Sequence, residues 1–415
     1  MRSLLSVTEA LQRVLEHATP LPAEEVPLSQ AAGLVLAYPL KARRTQPPAD
    51  VSAMDGYAVR ASDVANAPVR LKVIGEVAAG RPFARALGAG EAARIFTGGV
   101  LPQGADAIVI QENTERNGAY VDVEKSSPKG RHVRVQGLDF KAGDELFAAG
   151  HRLTARDLAL AAGMNHPLVP VHRRPKVVLF ATGDELVPAG SEPASGQIVS
   201  SNNYAIGALA RGEGATVEDL GIVGDRLDVT TAAVRRAREV GADILVTSGG
   251  ASVGDYDLVQ KAFTAEGMML SFWRLALRPG RPLMNGRLGG MHVLGVPGNP
   301  VSAFVCAFLF LVPLIRRLTG RSDLTHEIES AKLGVDLPEN DERADYLRAT
   351  LEEAPDGLVA KPFPVQDSSM MLPLAKADCL IIREPYEPAA KTGDACRIVK
   401  FERRFEATSV FFTSN

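Results

Sequence analysis

The alternation of apolar runs and helical segments after Pro175 constrains the fold most strongly. The runs KVVLF, TVEDLGIV, DILVTS and HVLGV each precede a loop containing Gly or Pro, and a segment with helical spacing follows each loop. We predict helices at 204–210, 229–240, 258–265 and 301–318. Such alternation is typical of a doubly wound α/β domain, in which helices cover both faces of a parallel sheet. In this architecture ligands bind beyond the carboxyl ends of the strands.

The rest of the chain divides around this α/β domain and predicts an α/β multidomain protein. Short strand-like runs separated by Gly, Pro and Asn precede the domain and indicate a β-rich insert, and further strand-like runs follow the domain. Helix-capping patterns flank the insert, which indicates one domain split by the insertion. The predicted domains are residues 1–46 with 137–174 (split domain), 47–136 (β-rich insert), 175–323 (α/β domain) and 324–415 (carboxyl-terminal β domain).

Composition argues against several classes of protein. The formal net charge of -3, without a long Lys/Arg run, argues against a nucleic-acid partner. Three widely spaced cysteines suit neither a disulfide framework nor a Cys-based metal site, and they favour a reducing compartment. The most apolar stretch, 301–315, is shorter than the roughly 20 residues of a membrane span and predicts a buried helix. With no signal-peptide pattern at the amino terminus, we expect a cytoplasmic protein.

The loop TSGGASVGDY resembles a phosphate-binding P-loop that lacks its cation. Gly249 and Gly254 have the P-loop spacing, but Asp255 and Tyr256 stand where the motif has Lys and then Ser or Thr. Glycines let backbone N–H groups approach phosphate oxygens, and a following helix adds a favourable dipole. The spacing alone is more often that of an ordinary βα turn.

Carboxylates crowd the same predicted edge of the sheet. Asp255 and Asp257 follow the glycine loop, and Glu185 and Asp225 follow neighbouring strands. A carboxylate ~4 Å from a phosphate would cost on the order of several kcal/mol in a partly buried site. A bridging hard cation removes this cost, and Mg²⁺ takes one or two carboxylates together with substrate phosphates. For Asp255, a solvated acidic turn explains the sequence equally well.

Two further loops carry groups suited to a ligand. In GVPGNPVSA the two prolines fix the backbone, Gly298 permits close approach, and Ser302 offers a hydroxyl near a helix start. A helix start alone explains Pro300 but not the second proline, Pro297. In RLALRPGRP, Arg278 and Arg281 flank a Pro-Gly turn, and their planar guanidinium groups are suited to binding oxyanions.

Six motifs occur in the order found in the MoeA/gephyrin E-domain family of molybdenum insertases, which this chain resembles over nearly its whole length. They are SAMDGYAVR, RIFTGGVLPQGADAIV, ATGDEL, TSGGASVGDYD, RPGRP and GVPGNPVSA. The resemblance implies a homodimer with a shared active site, in which a split elongated domain carries the β insert. An α/β molybdopterin-binding domain and a carboxyl-terminal β-barrel would follow.

The resemblance also implies an activity and a set of site residues. Adenylylated molybdopterin and molybdate would become molybdenum cofactor and AMP with Mg²⁺, and the chain would meet molybdopterin adenylyltransferase and molybdoenzymes as partners. The implied catalytic residues are Asp55, Glu185, Asp225 and Asp257, and the implied metal ligands are Asp225 and Asp257 with Asp255. The implied substrate-binding residues are Thr97, Asp139, Thr182, Gly183, Ser248, Gly249, Gly250, Ser252, Pro297, Gly298, Asn299 and Pro300. The implied molybdate-binding residues are Arg278, Arg281 and Ser302.

The local sequence pattern predicts only turn roles for Asp55 and Thr97. The resemblance implies instead that both reach into the second subunit's pocket. The chain departs from relatives at Arg278, where they often have Lys, and at Pro373, where several have a small hydroxyl residue. Two alternatives remain: a molybdopterin adenylyltransferase, whose chains lack the insert and the barrel, and a non-catalytic molybdopterin-binding scaffold.

Overall fold

The computed structural model describes residues 4–81, 83–249 and 258–401. The chain separates into two compact units. The first unit comprises residues 1–24, 33–37 and 172–415, and the second comprises residues 25–32 and 38–171. These units are coarser than the four predicted domains, whose boundaries stay predictions.

Fourteen consecutive helices and strands precede the α/β sheet. They are α1 (Val7–Leu15), β1 (Ala23–Pro27), β2 (Leu40–Lys41), β3 (Val51–Ser52), β4 (Gly56–Val59), β5 (Val69–Val77), β6 (Glu91–Ile95), β7 (Ala107–Ile110), β8 (Thr114–Asn117), β9 (Tyr120–Val123), β10 (Val133–Arg134), β11 (Glu145–Phe147), α2 (Ala155–Gly163) and β12 (Leu168–His172). Single 3₁₀ turns lie at Leu28–Gln30, Ala61–Asp63 and Gln111–Asn113.

The second unit contains a six-stranded sheet in the order β7-β4-β6-β5-β9-β8. Its core comes from alternate residues of these strands, among them Tyr57, Val59, Leu71, Val109 and Val121, all of which are buried. Period-two burial is what the short apolar runs of the insert predict. The β-rich character of this part of the chain is therefore confirmed.

The remaining elements belong to the first unit. They are β13 (Lys176–Thr182), β14 (Leu186–Val187), β15 (Ile198–Val199), α3 (Asn202–Gly212), β16 (Thr216–Val223), α4 (Leu227–Glu239), β17 (Ile244–Ser248), α5 (Leu258–Ala265), β18 (Met269–Arg274), β19 (Leu277–Arg278), β20 (Pro282–Leu288), β21 (Met291–Val296), α6 (Pro300–Cys306), a π-helical turn (Ala307–Leu311), α7 (Val312–Leu318), β22 (Ile328–Leu333), β23 (Ala344–Ala354), β24 (Gly357–Pro362), α8 (Met371–Lys376), β25 (Cys379–Arg383) and β26 (Ala395–Lys400).

The α/β sheet has the strand order β16-β13-β17-β21-β20-β18. Its first four strands are parallel, whereas β20 and β18 pair antiparallel. In β13, Val177 and Leu179 join one hydrophobic core with α3 and α6, while Val178 and Phe180 join a second core with α4 and α5. Because successive residues of a strand face opposite sides, helices cover both faces. The doubly wound prediction is confirmed, and the two antiparallel strands are an addition to it.

The apolar segment predicted as a buried helix is the continuous helical stretch of α6, the π turn and α7. By length and composition this stretch, Pro300–Leu318, could cross a membrane, but 83% of its apolar window is buried inside the first unit. A core helix has this character. The π turn directly precedes Pro313, which has no N–H with which to continue the helical ladder.

The carboxyl-terminal strands close into a five-stranded barrel. Their order is β23-β24-β22-β26-β25, and a further pairing of β25 with β23 completes the circle. Small and aliphatic side chains fill the interior, among them Ala349, Ala360, Ile381 and Ile398. The short strand β19, which lies between the α/β strands β18 and β20 in sequence, adds in parallel to β23. The barrel that the family resemblance implies is confirmed.

The cap of α2 gives a test of the local sequence signals. The Thr154 Oγ1 accepts a hydrogen bond from the Asp157 N–H, and Asp157 Oδ2 accepts one from the Thr154 N–H at 2.7 Å. We expect Thr154→Ala to destabilise α2 by about 1 kcal/mol and Thr154→Ser to cost only a few tenths, because Ser keeps the acceptor. Amide hydrogen exchange across α2 measures both changes. Equal protection in the two variants would contradict this account of the cap.

Candidate active site

A cleft of about 740 Å³ lies beyond the carboxyl ends of the parallel strands in the first unit. Its volume is within the range of small-molecule sites. The structure brings together here many residues predicted from separate loops: Thr182, Gly183, Glu185, Asp225, Ser248, Gly249, Pro297, Gly298, Asn299 and Pro300. Residues that the sequence did not single out complete the lining: Leu186, Ile198, Val199, Ser200, Ser201, Asn202, Pro282, Ser369 and Met371.

Two glycines make the wall of this cleft possible. Gly249 has φ +88°, and a Cβ there would lie 2.4 Å from the Thr182 carbonyl oxygen. Gly183 has φ +150°, and a Cβ there would lie 2.6 Å from Glu185 Oε2. Gly249 therefore needs glycine both for its backbone conformation and for the close approach of the Thr182 backbone, whereas at Gly183 the positive φ favours glycine and the nearby Glu185 side chain can move. At both positions the cleft is lined by backbone without a side chain, at the ends of β13 and β17.

A group of carboxylates stands on one side of the cleft. The Asp225 N–H donates to Asp184 Oδ1 at 3.0 Å, and Glu185 lies beside them. Partial desolvation, followed by the charges of Asp184 and Glu185, raises the pKa of Asp225. A proton or a cation bound to Asp225 would relieve this repulsion. Within residues 4–81, 83–249 and 258–401, no group of three metal-ligating side chains is preformed.

The loop before α6 is tied to its surroundings by side-chain amides. Asn202 Nδ2 donates to the Gly298 carbonyl at 2.8 Å, and Asn299 Nδ2 donates to Ser368 Oγ at 2.8 Å. The Val301 N–H donates to the Ser368 carbonyl at 3.0 Å. The loop is thus fixed both to α3 and to the segment that leads from the barrel into α8. This segment supplies the cleft wall at Ser369 and Met371.

The three residues implied as molybdate ligands do not line the described cleft. Arg278 donates instead to Asp345, Asp341 and Asn340. Arg281 is exposed; its carbonyl accepts from the Leu275 N–H at 3.2 Å, and its side chain forms no hydrogen bond or ion pair with the described residues. Ser302 is buried on α6. Their roles stay predictions.

Sequence reasoning missed Arg348, a fully buried arginine on β23. Its Nε donates to Gln366 Oε1 at 3.2 Å and its Nη1 to the Met370 carbonyl at 3.0 Å, while Nη2 has no partner among the described residues. Burial lowers the pKa of this guanidinium, although Asp367 opposes the shift. The signal was present, since ADYLRATL places an arginine as well as an aspartate within a predicted strand. Arg348 therefore lies against the segment that forms one wall of the cleft.

In the second unit, the predicted residues Asp55 and Thr97 form one hydrogen-bonded pair. Asp55 Oδ1 accepts from both the N–H and Oγ1 of Thr97, each at 2.7 Å, and these bonds lower the pKa of Asp55. Asp139 is exposed, and its N–H donates to the Gln46 carbonyl at 3.0 Å. The predicted residues Gly250, Ser252, Asp255 and Asp257 lie outside the described residues.

Family comparisons agree with the fold and cover most of the chain. The matching family models are the MoeA N-terminal region (domains I and II) over residues 5–164, the probable molybdopterin binding domain over residues 178–317, and the MoeA C-terminal region (domain IV) over residues 330–401.

Individual relatives and solved structures point the same way. A Haemophilus influenzae protein named molybdopterin molybdenumtransferase is 32% identical, over 96% of this chain and 99% of its own. One of the same name from Nostoc sp. is 40% identical, over 72% of this chain and 70% of its own. The crystal structure of a molybdopterin biosynthesis MoeA protein from Pyrococcus horikoshii is 31% identical, with a TM-score of 0.84 over 97% of this chain and 100% of its own.

Substitution of the cleft glycine tests the close approach described above. Gly190 matches Gly249 in φ, at +93°, but has open space around it. We expect Gly190→Ala to cost about 1–2 kcal/mol of backbone strain. Gly249→Ala should cost more, because its methyl group must also displace the Thr182 backbone. The free energy of unfolding from urea titration measures both, and equal losses would contradict this reason for glycine.

The raised pKa of Asp225 gives a second test. A raised folded-state pKa means that the folded chain holds the proton more tightly than the unfolded chain, so this stabilisation is present at low pH and lost as the pH rises through the Asp225 pKa. We expect Asp184→Asn to lower the pKa of Asp225, since the amide keeps the acceptor oxygen and removes the charge. Carboxyl ¹³C chemical shifts in metal-free protein measure it. Asp356→Asn, an exposed change elsewhere, is the control. An unchanged Asp225 pKa in Asp184→Asn would show that Asp184 does not act on it.

Proposed function

Because this chain belongs to the MoeA family of molybdopterin molybdenumtransferases, we propose that the cleft beyond β13, β17 and β21 is its active site. The chain is a molybdenum insertase of molybdenum cofactor biosynthesis. One observation carries the assignment to this cleft: loops predicted separately from the sequence line a single cavity in the first unit. Parallel strands place their ligand sites at this edge.

We propose adenylylated molybdopterin as the organic substrate. Gly183 and Gly249 line the cleft with backbone and no side chain, which permits the close approach of phosphate oxygens. Ile198 and Val199 line the cleft, and their apolar side chains are exposed. Apolar side chains beside polar backbone suit a ligand that combines a flat ring system with phosphates. Thr182 and Ser248 add hydroxyls at the ends of the two strands.

The donor set on the acidic side fits Mg²⁺. The described side chains there are oxygen donors, and partial desolvation together with the charges of Asp184 and Glu185 raises the pKa of Asp225, which a bound cation would counteract. Asp225 would hold the ion, with Asp257 and Asp255 as further candidates that lie outside the described residues. When bound, Mg²⁺ withdraws charge from phosphate oxygens and stabilises a phosphate leaving group. Asp184 accepts a hydrogen bond from the Asp225 backbone N–H and so holds this part of the chain on the cleft wall.

Molybdate, the second substrate, needs cationic or hydroxyl donors. Arg348 Nη2 has no hydrogen-bond partner among the described residues, but this side chain is buried and does not line the cleft, so Arg281 and Ser302 remain the donors predicted from the sequence. Arginine suits an oxyanion because its planar fork gives parallel N–H donors. The chain's own residues then bind and orient two substrates, and a covalent protein nucleophile is not required. Positioning and electrostatics suffice to hold molybdate near the dithiolene sulfurs and to stabilise AMP as it leaves the pyrophosphate.

From the resemblance we also propose a homodimer in which the Asp55–Thr97 pair, together with Asp139, serves the cleft of the second copy. The hydrogen bonds from Thr97 keep Asp55 ionised and fixed, as a residue presented to a ligand must be. We place the protein in the cytoplasm, where molybdopterin adenylyltransferase and molybdoenzymes would supply its substrate and take its product. A monomeric mass in solution with full activity would rule out the shared site.

Release of AMP from adenylylated molybdopterin tests the proposed reaction. We expect release to require molybdate and Mg²⁺, and Asp225→Ala to slow it by roughly 10²-fold or more, because the carboxylate that holds the metal is lost. Asp228→Ala is the matched control, since Asp228 is exposed and pairs with Arg226 instead. Chromatographic quantification of AMP over time measures both. Wild-type rates in Asp225→Ala would contradict the role given to Asp225.

A further inference from the structure

All three guanidinium nitrogens of Arg278 donate hydrogen bonds to side chains within residues 340–345, at and just before the start of β23. Its Nε donates to Asp345 Oδ1 at 2.6 Å, and its Nη2 donates to Asp345 Oδ2. Its Nη1 donates to Asp341 Oδ2 at 2.9 Å, and Nη2 also reaches Asn340 Oδ1 at 3.2 Å. The contact with Asp345 is therefore a two-bond fork, the geometry that makes an arginine–carboxylate pair directional. No nitrogen of this side chain is left without an acceptor.

The partners of Arg278 are themselves held in place. The Asp345 side chain is only 8% exposed. Asn340 is buried, and its Nδ2 donates to the carbonyls of Arg343 and Glu384, each at 2.8 Å. Backbone pairing runs alongside, since Leu277 and Arg278 form a parallel ladder with Ala344 and Asp345. The acceptors thus form a rigid socket on the barrel.

The loop that follows Arg278 leads directly to the cleft. Gly280 has φ +123°, and a Cβ there would lie 2.6 Å from Cys306 Sγ on α6. Two residues later, Pro282 begins β20 and lines the cleft. The loop is therefore packed against α6 on one side and bonded to the barrel by Arg278 on the other. Movement at Arg278 would change the position of Arg281 and Pro282.

We propose that Arg278 is a positioning residue, which fixes the RPGRP loop to the barrel beside the cleft, and not a ligand of molybdate. The inference rests on the proposed function of the cleft and specifies how one of its walls is held. An oxyanion at Arg278 would meet a guanidinium whose charge two carboxylates already neutralise, and only one of its N–H groups, on Nη1, lacks an acceptor among the described residues. A lysine at this position could not make the two-bond fork, because its ammonium is a single point of charge.

The test compares five variants with the wild-type chain: Arg278→Ala, Arg278→Lys, Asp345→Asn, the double variant of Arg278→Ala with Asp345→Asn and, as a matched control, Arg397→Ala. Arg397 forms an exposed ion pair with Glu384 on the same barrel, so its loss controls for removal of a surface charge pair. Each variant is assayed for kcat and for the KM of molybdate in AMP release. Amide hydrogen exchange over residues 275–281 is measured without substrates.

If Arg278 positions the loop, Arg278→Ala and Asp345→Asn both lower kcat about 10- to 100-fold, the size of effect expected from a displaced active-site wall. The KM for molybdate then changes less than twofold, and exchange over the loop increases in both variants. Arg278→Lys recovers only part of kcat, and Arg397→Ala matches the wild type. The double variant of Arg278→Ala with Asp345→Asn is no worse than Arg278→Ala alone, because Asp345 then has no Arg278 side chain left to bind.

Two outcomes would overturn the proposal. A large rise in the KM for molybdate in Arg278→Ala, with a fall in Asp345→Asn, would make Arg278 an oxyanion ligand that Asp345 restrains. Unchanged kcat, KM and loop exchange in both variants would show that the Arg278–Asp345 contact has no effect on the site. Absence of AMP release from the wild-type chain would defeat the proposed function instead, and the exchange measurements would still decide whether Arg278 holds the loop.

Discussion

Burial of β13 on both faces is the constraint on which the rest of the first unit depends. Its successive residues alternate between two hydrophobic cores, so neither face can turn to solvent without the loss of one core. The strand therefore has to lie inside the sheet, with helices above and below. Its neighbours β16 and β17 are parallel to it. Their carboxyl ends must then meet at one edge, which is where the loops with unusual composition converge.

At that edge the chain keeps polar and charged groups that the core could not accept. Gly249 leaves out a side chain where backbone must approach backbone, and the carboxylates of the cleft wall repel one another. This contrasts with the barrel, where Asp345 and Arg278 neutralise each other in a fixed fork. A neutralised pair holds the fold together, whereas an uncompensated Asp225 remains available to a ligand. The difference in charge balance separates the structural carboxylates from the candidate functional ones.

The sequence predicted those features that arise from neighbouring residues. Helix caps, the strand–loop–helix alternation and the glycine turns all follow from local patterns. Contacts between distant segments did not follow: Thr97 bonds to Asp55 across 42 positions, and Arg278 finds Asp345 across 67. The antiparallel strand β20 was missed because Asn285, Gly286 and Arg287 interrupt its apolar pattern. Arg348 was missed because its burial depends on a wall built by a later segment.

The cleft wall formed by the segment between the barrel strands affects whether the α/β domain could form a complete site without the barrel. Ser369 and Met371 come from the segment that links the barrel strands, yet they border the cleft at the edge of the α/β sheet. An α/β domain cut after α7 would retain the strand-end loops and lose this boundary. Its ligand site would be open on the side of Ser369 and Met371, but a nucleotide could still bind against the glycine backbone. Confinement of a second, smaller anion beside it would require the barrel to be present in the same chain.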